Sequence, residues 1–392
     1  MKILIIIIIS FFLSLTLRGQ SGIKPVLDEI QENNTALSAL RQQMGADSIL
    51  NRTGLYLANP ELGVGWFSGS PGDMGDKTTL SLVQSFHFPT AYIHKSRIAG
   101  ARDAQLGWEY ERQSRDIHLE AHLLCLQVVY LNALWQEYEQ RLEHAGRIAH
   151  AYASMLEAGE TNILEHNKAR LNLLNLQKEA EKIQIQRQSL LQQLEGMNGG
   201  KPIILEDDSF DEIMVPADFE QWFLQARQQN PSLQWLQKEA EISQRQVKLQ
   251  RAMSLPSFSV GYASEELPHE RFRGVVVGMS IPLWENRNTV RHAQARSVAL
   301  ESITEDRLLQ FYNTLKQHHA TALSLQATVA EYKGLLQSVD SSALIERAWE
   351  EGEINLTQFI LELSYYYQSA DNILEMEWEL QQAMAVLNQF LD

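Results

Sequence analysis

A single cysteine, Cys125, in 392 residues leaves the chain without an internal disulfide. Basic side chains are also in short supply, with 33 lysines and arginines against 49 aspartates and glutamates and a net charge of −16. This balance excludes nucleic acid as a partner, because binding it relies on cations that neutralise phosphates. Long apolar runs are missing too. Ile3–Leu17, preceded by Lys2 and followed by small and polar residues, reads as a secretory signal peptide over residues 1–20. No later run supplies the roughly 18–20 apolar residues of a transmembrane helix. A mature chain that enters a membrane is therefore expected to do so as strands. Catalytic groupings are absent as well: there is no serine–histidine–aspartate set, phosphate-cradling glycine loop or paired-carboxylate context. Neither an enzymatic activity nor a cofactor is expected.

What is present is duplication. "EAGETNILEH" at Glu157–His166 returns as "EEGEINLTQF" at Glu350–Phe359, with Gly159 and Gly352 separated by 193 residues. Pro89 and Pro282 repeat at the same spacing, while "NPELGVGW" pairs with "LPSFSVGY" and "NNTALSAL" with "QNPSLQWL" at 196. These anchors divide the chain into a first repeat at 21–198, a linker at 199–217 and a second repeat at 218–392. Each repeat is expected to run helix, strand, strand, long helix, turn, helix.

Helical periodicity is the strongest local signal. Ile117, Leu124, Leu131, Tyr138, Ala145 and Tyr152, interleaved with Ala121, Val128, Trp135, Leu142, Ala149 and Leu156, hold an apolar or small heptad seam through six heptads. In the second repeat a seam from Leu308 to Val339 matches it, interrupted by His318, and the last helix continues through Phe359, Tyr366, Ile373 and Leu380. Ile93 to Glu157 contains no proline, which predicts on the order of 100 Å of helix at about 1.5 Å per residue. Gly159 and Gly352 suit helix C-termini, and Asn162 and Asn355 suit the N-caps that follow. The expected fold class is mainly α with a small β portion, built from duplicated long coiled-coil hairpins and four strands.

The strand candidates are "GVGWFSGS", "TTLSLVQSFHF", "SFSVGYAS" and "GVVVGMSIPL". In the last, Val275, Val277, Met279 and Ile281 alternate with Gly274, Val276, Gly278 and Ser280, which is the pattern of a strand with lipid on one side. Four strands cannot close a barrel, and an open edge in lipid leaves backbone groups unpaired at several kcal/mol each. Either several chains share one barrel, or two soluble hairpins cap an exported coiled-coil scaffold that has no pore.

The order of these elements resembles the outer-membrane efflux protein (TolC) family over essentially the whole mature chain. The resemblance rests on the duplicated element order, the Asn-Pro pairs at Asn59–Pro60 and Asn230–Pro231, the strand-ending prolines and the two glycine turns. "SIPLWENRNTVRHAQA" and "EEGEINL" look like the branch that works with heavy-metal resistance–nodulation–division pumps. The resemblance implies a homotrimer with a twelve-stranded barrel in outer-membrane lipid and a helical tunnel in the periplasm. It also implies a periplasmic adaptor docked on the tunnel tips and an inner-membrane pump that supplies the drive. Conduction would be passive, for small solutes or metal cations.

The same resemblance assigns the tip turns and adaptor docking to Gly159, Glu160, Asn162, Gly352, Glu353 and Asn355, and the strand-to-helix junctions to Pro89 and Pro282. The entrance carboxylates would be Glu157, Glu165, Glu350, Glu351 and Glu362, where a ring of acids favours cations. Two departures stand out: Gln358 and Leu361 occupy positions where relatives often carry acids, and Ala158 and Glu351 replace apolar residues before the turn glycines. No dedicated metal site is expected. His118 and His122 share a helix face but are read as a surface pair, His318 and His319 are read as pointing apart, and Cys125 is read as a packed residue.

Overall fold

The computed structural model describes residues 22–70, 75–338 and 341–391. The expected signal peptide, part of the first hairpin connection and seam residue Val339 lie outside these residues. The chain forms α1 (Ile23–Asn33), α2 (Thr35–Asn51), β1 (Glu61–Phe67), β2 (Lys77–Phe86), α3 (Pro89–Glu157) and α4 (Ile163–Met197), then α5 (Phe219–Gln229), α6 (Pro231–Met253), β3 (Ser257–Glu266), β4 (Arg271–Ser280), α7 (Thr289–Ser338), α8 (Ser341–Glu350) and α9 (Leu356–Asn388). Two compact units result, each drawing on both halves of the sequence. The sheet unit holds Ala39–Arg112 and Asn230–Phe311, and the helical unit holds the described residues up to Ser38, Gln113–Gln229 and those from Tyr312 onward.

In the sheet unit the strands lie in the order β1-β2-β3-β4, all antiparallel. The helices follow the same order. Asn51 on α2 donates to Asp103 on α3 at 2.8 Å. Ala91, Ile98 and Ala101 of α3 pack on Ile242, Leu249 and Ala252 of α6. Arg296 on α7 meets Glu239 on α6 at 3.2 Å, and Asn286 just before α7 donates to the Met253 carbonyl at 2.9 Å. A covalent hairpin is local, but the β2–β3 ladder from Thr78↔Glu266 to Phe86↔Phe258 joins the two repeats.

The core of the helical unit forms where α1 and α4 close on the centre of α3. Val26, Leu27 and Ile30 share one cluster with Ala121, Cys125, Val128 and Val129 of α3 and with Ile183, Leu190 and Leu194 of α4. Leu126, Cys125 and Val129 are as buried as the seam positions, so this part of α3 is packed nearly all round. That corrects one expectation: α3 is the one described helix long and apolar enough to cross a membrane, by length and composition alone. Its apolar centre is occupied by this packing.

Each repeat opens on a helix pair broken at an asparagine cap. Asn34 accepts from the Leu37 amide at 3.0 Å, and Asn230 accepts from Ser232 and Leu233 at 2.8 and 3.2 Å. The counterpart of Asn230 is thus Asn34. Asn59–Pro60 instead precedes β1, as Leu255–Pro256 precedes β3, so the two Asn-Pro pairs are not equivalent.

The segment 199–217 has no regular structure, and its backbone acceptors are met by side chains from the long helices. Asn132 donates to the Leu205 and Asp207 carbonyls at 3.1 and 2.8 Å, and Gln381 to that of Asp211 at 2.7 Å. Gln326 reaches the Ile213 carbonyl at 3.2 Å, and a His319 ring nitrogen bonds the Pro216 carbonyl at 2.6 Å. Ile203 and Leu205 are buried in the core.

Candidate membrane surface and tip turns

The ladder registers place every strand residue on one of two faces. One face carries Leu62, Val64 and Trp66 of β1, Leu80 and Leu82 of β2, Val260 and Tyr262 of β3, and Val275, Val277 and Met279 of β4. All of them are exposed, with Val64, Trp66, Val275 and Val277 each above 70%. A continuous apolar surface of this kind is rare on a soluble monomer. Aromatic rings stand at its two ends: Trp66 opposite Thr78 near the hairpin turns, and Phe86 beside Phe258 at the helical end, with centroids 6.0 Å apart. Eight steps along β2 separate Thr78 from Phe86, about 26 Å at 3.3 Å per residue, which at a barrel strand's tilt of about 40° spans roughly 20 Å of the apolar band.

The opposite face is mostly small and polar, with Val83 and Val276 in its middle and Phe67 and Phe272 near the hairpin turns as its larger apolar residues. Gly63, Gly65 and Gly278 stand across from Ser81, Thr79 and Ser259, and a Cβ on those glycines would come within 2.7, 2.6 and 2.5 Å of the facing hydroxyls. At those three positions the sheet leaves little room for a side chain on this face, whereas Gly274 has open space. The strand ends next to the connections are charged, with Lys77 of β2 paired to Glu265 of β3 at 2.7 Å and Arg271 of β4 paired to Glu266 of β3. Among the described residues the outer edges of β1 and β4 have no partner strand.

In the helical unit the two glycine turns have one geometry. The Glu160 amide donates to the Met155 carbonyl at 2.8 Å and the Gly159 amide to that of Leu156 at 3.1 Å. Glu353 and Gly352 do the same to Ala348 and Trp349, at 2.8 and 3.1 Å. These are the paired bonds of a Schellman C-cap, which needs a left-handed residue, and Gly159 and Gly352 have φ of 76° and 75°. Asn162 then caps α4 by accepting from Leu164 and Glu165 at 2.9 and 3.1 Å. Asn355 caps α9 in a reciprocal box with Gln358, at 3.0 and 3.2 Å.

Glu157, Glu160, Glu350, Glu351, Glu353 and Glu362 are all exposed. Glu165 differs, because Lys168 holds it at 2.8 Å and also reaches Thr357 on α9 at 2.9 Å. Pro89 is the first residue of α3, and Pro282 lies between β4 and α7. The rings of His118 and His122 are 6.3 Å apart, and among the described residues no group of three His, Cys, Asp or Glu could hold a metal ion. His319 is buried on the linker while His318 is half-exposed. Burial pushes the Cys125 thiol up to about 12, which removes it as a nucleophile.

One feature carries no signal in the sequence. The Arg141 side chain on α3 is 3% exposed, grips Asp371 on α9 at 2.6 and 2.9 Å, and lies 4.7 and 4.4 Å from the Tyr138 and Tyr367 ring centres. Burial alone lowers its proton affinity, but the Asp371 bonds and charge outweigh this and raise it. The guanidinium therefore stays charged and ties the two hairpins together.

No family model matches the sequence, and no curated protein sequence matches it. Solved structures do match. CusC, whose crystal structures concern transmembrane channel formation, is 16% identical, with a TM-score of 0.78 over 94% of this chain and 91% of that one. The Campylobacter jejuni CmeC outer membrane channel is 12% identical, with a TM-score of 0.77 over 94% and 84%. The Vibrio cholerae outer membrane protein VceC is 12% identical, with a TM-score of 0.76 over 95% and 97%. At these identities the likeness establishes the fold, and the chain has the fold of outer-membrane channels.

Proposed function

We propose that the chain is one subunit of an outer-membrane export duct. The observation that carries this reading is the four-stranded sheet: one face is apolar, exposed and bounded by aromatic rings, the other is mostly small and polar, and among the described residues neither edge is paired. In hydrocarbon the open edges have to be paired, and the β4 edge of one copy can pair with the β1 edge of the next. Three copies give twelve strands, so a homotrimer closes the barrel with its small-residue face towards the bore. The neighbours with the same fold are described as outer-membrane channels, which supports the outer membrane of a Gram-negative cell as the location.

The duct conducts passively and performs no chemistry on its cargo. Six similar turns, two from each of three copies, ring the far end, with Gly159, Glu160, Asn162, Gly352, Glu353 and Asn355 as the surface for a periplasmic adaptor. An inner-membrane resistance–nodulation–division pump supplies the drive. Glu157, Glu350, Glu351 and Glu362 make that mouth attractive to cations. Glu165 contributes less, being held by Lys168. The sequence resemblance to the branch that works with heavy-metal pumps supports metal cations among the solutes carried. Cell fractionation tests the reading: recovery from the outer membrane as a detergent-stable trimer is expected, and a soluble monomer would overturn it.

A further inference from the structure

Charge in the sheet unit is segregated along the chain. Four stretches border the helical end of the sheet: 48–60 before β1, 89–102 after β2, 244–256 before β3 and 286–300 after β4. None of them contains an aspartate or glutamate, although Asp47, Glu61, Asp103, Glu285 and Glu301 stand directly beside their ends, and together they hold ten lysines and arginines. Some are neutralised within the chain: Arg245 pairs with Glu241 and Arg296 with Glu239. Arg97 and Arg102 on α3, Lys248 and Arg251 on α6, and Arg287 and Arg291 at the start of α7 are exposed and, among the described residues, meet no carboxylate.

These charges lie on both sides of the helix layer. Ile242 and Leu249 of α6 face α3. At helical spacing, Glu239, Gln246 and Gln250 fall on one side of that contact and Glu241, Arg245 and Lys248 on the other. The first side borders a groove of about 540 Å³ that takes in Arg102, Arg287, His292 and Arg296. The second borders a groove of about 300 Å³ with His94 and Arg97. Whichever side faces away from a bore, that side is basic.

We propose that this end of the sheet unit is a collar that binds the anionic headgroups of phospholipids in the adjoining leaflet, an inference that rests on the membrane reading above. The collar extends about 20 Å from the strand ends at 1.5 Å per residue, and its nearer charges are within reach of a headgroup layer several Å deep and a screening length of about 8–10 Å. Beyond the groups that share the larger groove, its charges are spread over four stretches of chain and both sides of the helix layer, which suits a plane of headgroups better than one bound ion. Juxtamembrane basic segments of this kind fix a protein's depth and orientation.

The test uses the purified full chain with vesicles of phosphatidylcholine alone and of phosphatidylcholine mixed with phosphatidylglycerol, separated by flotation. Phosphatidylglycerol is expected to raise the bound fraction by about tenfold, and the gain should vanish in high salt. Two triple variants, Arg97→Gln/Lys248→Gln/Arg251→Gln and Arg102→Gln/Arg287→Gln/Arg291→Gln, remove exposed charge from either side without opening the core. At least one should abolish the gain while still floating with phosphatidylcholine. Equal binding to both vesicles, or a gain that survives in the combined six-fold variant, overturns the collar. Inorganic phosphate competing away the gain at low concentration would mark a site for a free anion and would also overturn it. Failure to float with either vesicle would sink the membrane reading itself.

Discussion

The two tip hairpins share a backbone and differ in what their side chains do. From Glu157 to Lys168 no residue of the first hairpin is buried, and Ile163 and Leu164 stand in the open. In the second, Leu356 and Phe359 are almost fully buried, and Phe359 packs on Trp349 with ring centres 4.9 Å apart. At the 193-residue offset, Phe359, Leu363 and Leu380 correspond to His166, Arg170 and Arg187. Duplication kept the glycine, the asparagine cap and the C-cap bonds, because these are conditions on the backbone. It released the helix faces, because α9 packs inside its own chain against α3 and α8 whereas α4 leaves Leu171, Leu174 and Ile185 exposed. In the proposed trimer those exposed side chains of α4 are the ones available to a neighbouring copy.

The largest way to break this difference is Phe359→Ala, which should destabilise the helical unit by about 3–4 kcal/mol, while Leu164→Ala in the other hairpin stays within about 0.5 kcal/mol. Thermal unfolding of the two variants side by side measures the contrast, and equal losses would mean that the hairpins are not packed differently. Next comes the tie between them. Asp371→Asn leaves the Arg141 guanidinium charged and buried, and a loss of about 3 kcal/mol is expected in the same assay.

Changes to the shared backbone should act alike on both. Asn162→Ala and Asn355→Ala each remove a cap and should cost about 1 kcal/mol, the first slightly more because it strands the Leu164 and Glu165 amides, whereas the second strands only the Gln358 amide and leaves the Gln358 side chain on the backbone N–H of residue 355. Gly159→Ala and Gly352→Ala force a Cβ into the left-handed region and should cost about 1 kcal/mol each, read as matched drops in midpoint. A large inequality between the two glycines would show that the turns are not equivalent.

Much of the fold could be read from local pattern. Period-two alternation in "GVVVGMSIP" marked a strand with two unlike faces, and the glycine and asparagine spacing marked the tip turns, because both report conditions within a few residues. What stayed hidden was set by distant partners. Arg141 sits among heptad positions, and only the fold brings Asp371 and two tyrosine rings onto it. Asn132, His319, Gln326 and Gln381 look like ordinary polar entries in helices until the linker carbonyls arrive. The all-round burial of α3 near Cys125 was missed because a heptad seam reports one helix face, and α1 covers another. The Asn-Pro pairs misled for a related reason: a dipeptide that ends one element before a strand also starts a helix, and only the surrounding elements tell the two uses apart.

The decisive measurement concerns the two faces of β4. Single cysteines at Val275, Val276, Val277, Gly278 and Met279, spin-labelled in reconstituted protein, report access to oxygen dissolved in lipid and to a water-soluble nickel reagent. Native Cys125, buried with its thiol pushed up to about 12, should remain unlabelled. Positions 275, 277 and 279 are predicted to meet oxygen and positions 276 and 278 the nickel reagent, in strict alternation, as a lipid-embedded barrel around a water-filled bore requires. Equal access to the water-soluble reagent at all five positions would contradict the account.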